Sequence, residues 1–131
     1  MQLGIETQVE AAPALLIERL HDIASWPEWM EGLQSVEVVR PGAHAEVVLV
    51  FGNPRQFSVR MDIDCQDGGV FCSLIEGEVT GVQVDLRIEP GSKGSQIRWD
   101  IYLHFPLTVP GALLTELRTS VVPRWSRALA R

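Results

Sequence analysis

Along the first ten residues, Leu3, Ile5, Thr7 and Val9 alternate with Gly4, Glu6, Gln8 and Glu10, the period of a strand buried on one face. Ala11-Ala12-Pro13 interrupts the alternation. Pro13 suits the first turn of a helix, where its missing N–H is not needed. Leu16, Leu20 and Ile23 then recur at i, i+4 and i+7, which predicts a first helix to about Ala24. Ser25-Trp26-Pro27-Glu28 has the form of a capping box, but Pro27 disfavours helical backbone at the residue before it. Trp26 is therefore the predicted cap of a short second helix that Pro27 opens and Gly32 closes, with Glu28 in its first turn.

From Leu33 to Pro106 the chain predicts six strands separated by turn residues: Pro41-Gly42, Gly52-Asn53-Pro54, Asp67-Gly68-Gly69, the Gly77 to Gly81 region, and Pro90-Gly91-Ser92-Lys93-Gly94. Three stretches alternate cleanly. Phe57, Val59, Met61, Ile63 and Cys65 oppose Ser58, Arg60, Asp62 and Asp64; Val82, Val84, Leu86 and Ile88 oppose Gln83, Asp85, Arg87 and Glu89. Ile97, Trp99, Ile101, Leu103 and Phe105 oppose Arg98, Asp100, Tyr102 and His104. Each pattern describes a sheet with one apolar and one polar face. After Pro106 and Pro110, Leu113, Leu117, Val121, Trp125 and Leu129 recur every four residues, predicting a long amphipathic helix whose stripe faces the sheet. Pro123 removes the hydrogen bond to the Thr119 carbonyl, so a kink is expected near Thr119.

Composition narrows the functional classes. The 131 residues, 46% hydrophobic and 21% charged, suit one globular domain spanning 1–131. No apolar run approaches the length of a membrane span, and the first residues lack a secretory pattern, so a cytoplasmic location is expected. A net charge of -6 disfavours nucleic acid as a partner. From Pro110 onward, however, Arg118, Arg124, Arg127 and Arg131 stand against Glu116 alone, giving that segment +3 and leaving -9 on the rest. Such a basic row either complements the helix dipole or makes weak contact with an anionic membrane through Arg118, Arg124 and Arg127.

Cys65 and Cys72 face each other if Gly68-Gly69 forms the intervening turn, whereas Cys65 faces Val70 if Asp67-Gly68 forms it. In a reducing compartment both are expected as free thiols. Two cysteines and three scattered histidines, His21, His44 and His104, predict neither a metal site nor a triad, and no cofactor is expected.

Three segments carry a family resemblance. They are Val9-Glu10-Ala11-Ala12-Pro13, the run from Leu20 through Trp26-Pro27-Glu28-Trp29, and Leu33-Gln34-Ser35-Val36-Glu37-Val38. Leu86-Arg87-Ile88-Glu89-Pro90 followed by Gly94 adds a fourth. With the order strand, two short helices, six strands, long helix, they resemble the START-like (SRPBCC) superfamily of polyketide cyclases, coenzyme-Q-binding proteins, lipid-transfer domains and pollen-allergen relatives. The resemblance implies an α+β helix-grip (Bet v 1-like) fold, with a seven-stranded curved antiparallel sheet around a long C-terminal helix. It also implies an apolar ligand cavity between sheet and helix. Its expected wall is Trp26, Trp29, Phe57, Val59, Met61, Val84, Leu86, Trp99, Ile101, Leu117 and Val121, although the same side chains would equally serve as an ordinary filled core.

Two functional readings follow from the resemblance. In one the chain binds or carries a small hydrophobic molecule such as a lipid, isoprenoid quinone or aromatic polyketide. In the other it is a cyclase/dehydrase that folds a reactive chain into a productive conformation. A cyclase-like member would place a Tyr near Leu33 and use an Arg; here the lone Tyr102 and Arg60 alternate onto polar strand faces. The pair Asp62 and Asp64 shares that face with Arg60, and solvated side chains are the expected state of all three. No catalytic residue is assigned. A third reading makes the chain an interaction module that uses its basic C-terminal helix.

Overall fold

The computed structural model describes residues 1–52, 56–77, 81–104 and 110–131. The predicted turn at Asn53-Pro54, the interior of the Gly77–Gly81 region, and Phe105 and Pro106 lie outside them. Seven strands, β1 (Gln2–Val9), β2 (Leu33–Arg40), β3 (His44–Phe51), β4 (Phe57–Gln66), β5 (Gly69–Gly77), β6 (Val82–Gly91) and β7 (Gly94–Leu103), form one antiparallel sheet. Its order is β1-β7-β6-β5-β4-β3-β2. Six strands thus run as a meander and β1 closes onto β7, so the helices after β1 connect the two opposite edges of the sheet.

Alternation places Leu3, Ile5, Val47, Leu49, Val59, Met61, Ile63, Leu86, Ile88, Ile97, Trp99 and Ile101 on one buried face. Burial of each such side chain contributes roughly 1.5–3 kcal/mol. In the hairpin between β4 and β5, Gln66 pairs with Gly69 and Cys65 with Val70, so Asp67-Gly68 is the turn and both cysteines are free thiols. Farther along the same pair Arg60 opposes Glu76 while Met61 opposes Leu74. Ile75 is the extra residue of this bulge, which sharpens the local twist and leaves it 47% exposed.

The helix α1 (Pro13–His21) has Pro13 in its first turn and buries Leu16 and Leu20 completely. It ends at His21, earlier than the expected Ala24, because the chain tightens there into a 3-10 helix, Ile23–Glu28. Trp26 is therefore inside this helix and is not the cap of a helix opened by Pro27. Bonds of the i→i+3 kind, Ser25 N–H to Asp22 O and Trp29 N–H to Trp26 O, tolerate one missing donor, and burial holds Trp26 in place. Turns continue to Gly32, whose φ of +96° suits glycine. His21 Nε2 lies 2.9 Å from the Gln66 carbonyl and 3.1 Å from that of Gly69, tying the end of α1 to the β4–β5 turn.

The C-terminal helix runs through Gly111–Glu116, a π-helical turn Leu117–Val121, and Val122–Leu129. An α-helical path would drive the Pro123 ring into the Thr119 carbonyl. Instead the Val122 N–H bonds to Leu117 O, five residues back, and the distortion expected near Thr119 takes the form of this wider turn. The extra residue shifts the inward face. Leu114, Leu117, Val122, Ser126 and Leu129 point towards the core, and Leu113, expected there, is 48% exposed.

Candidate functional site

An apolar cavity of about 120 Å³ lies between the inner face of the sheet and the C-terminal helix. Six of the expected wall residues meet there: Trp26, Trp29, Met61, Val84, Leu86 and Trp99. The remaining five do not border it. Val59 and Ile101 are buried in the neighbouring core, and Leu117 packs against that core from the helix. Val121 is half-buried at the π turn. Phe57 stacks on Phe51 with ring centroids 5.2 Å apart.

Seven further residues complete the wall. Leu20 comes from α1, Met30 from the turn after the 3-10 helix, Leu49 and Phe51 from β3, Val70 and Cys72 from β5, and Trp125 from the helix. The period is present in β3 and β5 but masked, because Val48, Val50, Phe71 and Ile75 put apolar residues on the outer face as well. Trp125 lies on the predicted helix stripe. It reaches the cavity, where Leu117 and Val121 do not, because the π turn rotates the helix between them.

All four tryptophans form a continuous chain beside the cavity. Ring centroids are 6.0 Å apart for Trp26–Trp29, 6.5 Å for Trp29–Trp99 and 5.8 Å for Trp99–Trp125, within the range of favourable aromatic contacts. Three of the indole N–H groups are satisfied. Trp26 donates to the Leu20 carbonyl at 2.9 Å, one of the acceptors left open at the end of α1. Trp99 donates to Ser126 Oγ at 2.9 Å, and Trp125 to the Glu31 carbonyl at 3.0 Å. Ser126 thereby explains a polar side chain with no exposed surface on the inward face of the helix. Trp29 Nε1 is buried without a partner among the described residues.

Among the described residues the wall contains no carboxylate, imidazole or basic side chain; its one titratable group is Cys72. Burial pushes that thiol up to about 12, with smaller contributions from Cys65 and Asp85, so it remains neutral and a poor nucleophile. Arg60 is on the outer face, 3.9 Å from Glu46, and Asp62 and Asp64 lie beside it near Arg40 and His44. Leu33 is buried, and Tyr102 shares the outer face with Arg98 and Asp100. There Arg98 bridges Glu6 and Asp100, and its hydrogen bonds hold the Asp100 carboxyl below the usual carboxylate range. In the basic row, Arg124 pairs with Glu31 at 3.4 Å, while Arg118 and Arg127 are exposed.

A family model described as polyketide cyclase / dehydrase and lipid transport matches residues 9–130. The chain belongs to this family. Its fold is shared with the ginseng major latex-like protein 151 from Panax ginseng, at a TM-score of 0.79 and 12% identity over 100% of this chain and 97% of that one. A START superfamily protein from Mycobacterium smegmatis superposes at 0.75 with 16% identity, covering 99% and 93% of the two chains. A protein from Thermus thermophilus gives 0.72 with 19% identity, covering 98% and 91%. No curated protein matches by sequence. The polyketide cyclase / dehydrase and lipid transport family and the helix-grip architecture together point to binding of hydrophobic ligands as the general activity. No helix among the described residues is long and apolar enough to cross a membrane.

Proposed function

We propose that residues 1–131 act as one ligand-binding domain that carries a small hydrophobic molecule, of the lipid, isoprenoid-quinone or aromatic-polyketide kind, with an apolar part of it held in the cavity beside the tryptophan chain. The observation that carries this reading is the wall itself, apolar around its described circumference and edged by four indoles. An apolar group moving from water into such a space is stabilised by burial, and flat unsaturated molecules gain further from edge-on aromatic contact. Native mass spectrometry of the purified chain, followed by organic extraction, tests it. A released quinone, lipid or polyketide is the expected result, whereas a chain that neither retains a ligand nor takes up apolar probes contradicts it.

The family description also supports a second reading, cyclase/dehydrase chemistry in which the wall templates a reactive chain. On that reading Trp26→Ala lowers turnover of a poly-β-keto substrate. Arg60→Ala leaves turnover unchanged, because its side chain lies on the far side of the sheet.

A further inference from the structure

Trp29 borders three spaces at once. One is the apolar chamber of about 120 Å³. The second is a cleft of about 550 Å³ formed by α1, the 3-10 helix and the end of the C-terminal helix, and the third is a recess of about 350 Å³ beside Arg124 and Trp125. The chamber alone is smaller than the cavity of about 150 Å³ that accommodates benzene in a protein interior. A lipid- or polyketide-sized molecule therefore needs more room than the chamber provides. The cleft on the other side of Trp29 supplies it, and its character differs: Glu18, Asp22, Ser25 and Glu28 line it together with Arg19 and Arg131. The Arg19 guanidinium is already engaged, donating to the carbonyls of Leu129 and Arg131.

The four indoles are not equally free to move. Turning Trp26, Trp99 or Trp125 breaks a hydrogen bond. Trp29 is 6% exposed and its N–H has no partner among the described residues, an arrangement that a packed interior retains only at a cost. Its rotation forfeits no hydrogen bond, and a ring turned towards the cleft finds acceptors for the N–H.

We propose that chamber and cleft are two ends of one site divided by Trp29, which swings aside to admit an amphiphile. The apolar end of the ligand occupies the chamber, and a hydroxyl or amine end lies among Glu18, Asp22 and Glu28. This rests on the carrier reading and adds to it the polar end of the ligand and the route by which it arrives.

The test uses octylamine and octanoate as probes of equal chain length, followed by stopped-flow tryptophan fluorescence, with xenon NMR reporting the chamber alone. Octylamine is expected to bind about tenfold more tightly than octanoate, because the three carboxylates of the cleft outnumber its two guanidinium groups, Arg19 and Arg131. Its binding rate in the natural chain should level off at high concentration, where the swing of Trp29 becomes limiting. In Trp29→Ala the rate should rise linearly throughout; where that variant does not fold, the smaller ring of Trp29→Phe should raise the plateau. Xenon uptake combined with an octylamine rate that ignores both substitutions overturns this proposal and leaves the carrier reading intact, as does equal affinity for the two probes. Absence of both xenon and octylamine binding removes the carrier reading as well.

Discussion

Two regions of the same sheet face, two residues apart on the same strands, end in different states. In β7 Ile97 has no exposed surface and does not line the chamber, while Trp99 does; in β4 Ile63 is equally buried away from it, while Met61 lines it. The alternation runs unbroken through both. The filled stretch of β7 lies beside β1, on which Val122–Leu129 packs, whereas α1 packs against β5 and β6 and gives Leu20 to the chamber wall. The hollow part lies where rigid indoles hold the helix away from the strands, since flat rings packed edge-on do not collapse into a space as aliphatic chains do. A cavity in this fold is thus a consequence of the spacing that these rings set between the layers rather than of the strand alternation, which is the same in both regions.

The largest expected effect is in the filled part. Ile97→Ala should destabilise by about 2–5 kcal/mol in urea unfolding, because no neighbour can close the new void. Trp99→Phe, which orphans the buried Ser126 hydroxyl, should cost roughly 1–3 kcal/mol and move the tryptophan emission. Cys72 sharpens the contrast through pH. Its folded thiol ionises near 12 against an ordinary 9.0, so its contribution is complete below pH 9. As the pH rises the unfolded chain ionises first, and stability should fall by about 1.4 kcal/mol per unit towards pH 12. An alkaline unfolding series in which Cys72→Ala keeps the same slope as the natural chain would sink that assignment. Enlarging a side chain into the hollow comes next. Val84→Leu should change stability by less than about 1.5 kcal/mol while blocking xenon, whereas Ile97→Phe, with no space to enter, should lose roughly 1–3 kcal/mol. Equal losses in both would mean that the chamber offers no usable room. The smallest change is expected on the outer face, where Glu6→Gln removes a solvent-exposed partner of Arg98; its effect on the melting temperature should fade with added salt.

Most of the fold is legible in the chain. Strict alternation in β1, β4, β6 and β7 requires one buried face, and Pro13 and Pro123 mark helix geometry by what their rings exclude. Trp26 reads as a cap only while the local backbone preference before Pro27 is weighed without the burial that holds its ring. Leu113 falls inward only under a four-residue period that assumes an unbroken α-helix, and the π turn ahead of Pro123 displaces that period by one residue. The chamber is legible in its central strands and less so at its margins. Phe51, Val70 and Cys72 are hidden by apolar residues on the outer face of β3 and β5, and Leu20 and Met30 reach the wall only because the helices after β1 fold back across the sheet.

Periodicity alone determined the succession of strands and helices, the inner and outer faces of the sheet, and the apolar character of the inner face, because each depends on the alternation of side chains along a single segment, while the class of fold came from the family resemblance. The size of the chamber, the hydrogen-bond partners of the four indoles, the neutral state of Cys72 and the meeting of three cavities at Trp29 were decided by tertiary structure. Each of these depends on the distance between layers that are remote in the chain, and no local pattern encodes the gap that remains when a twisted sheet, a distorted helix and four rigid rings settle against one another.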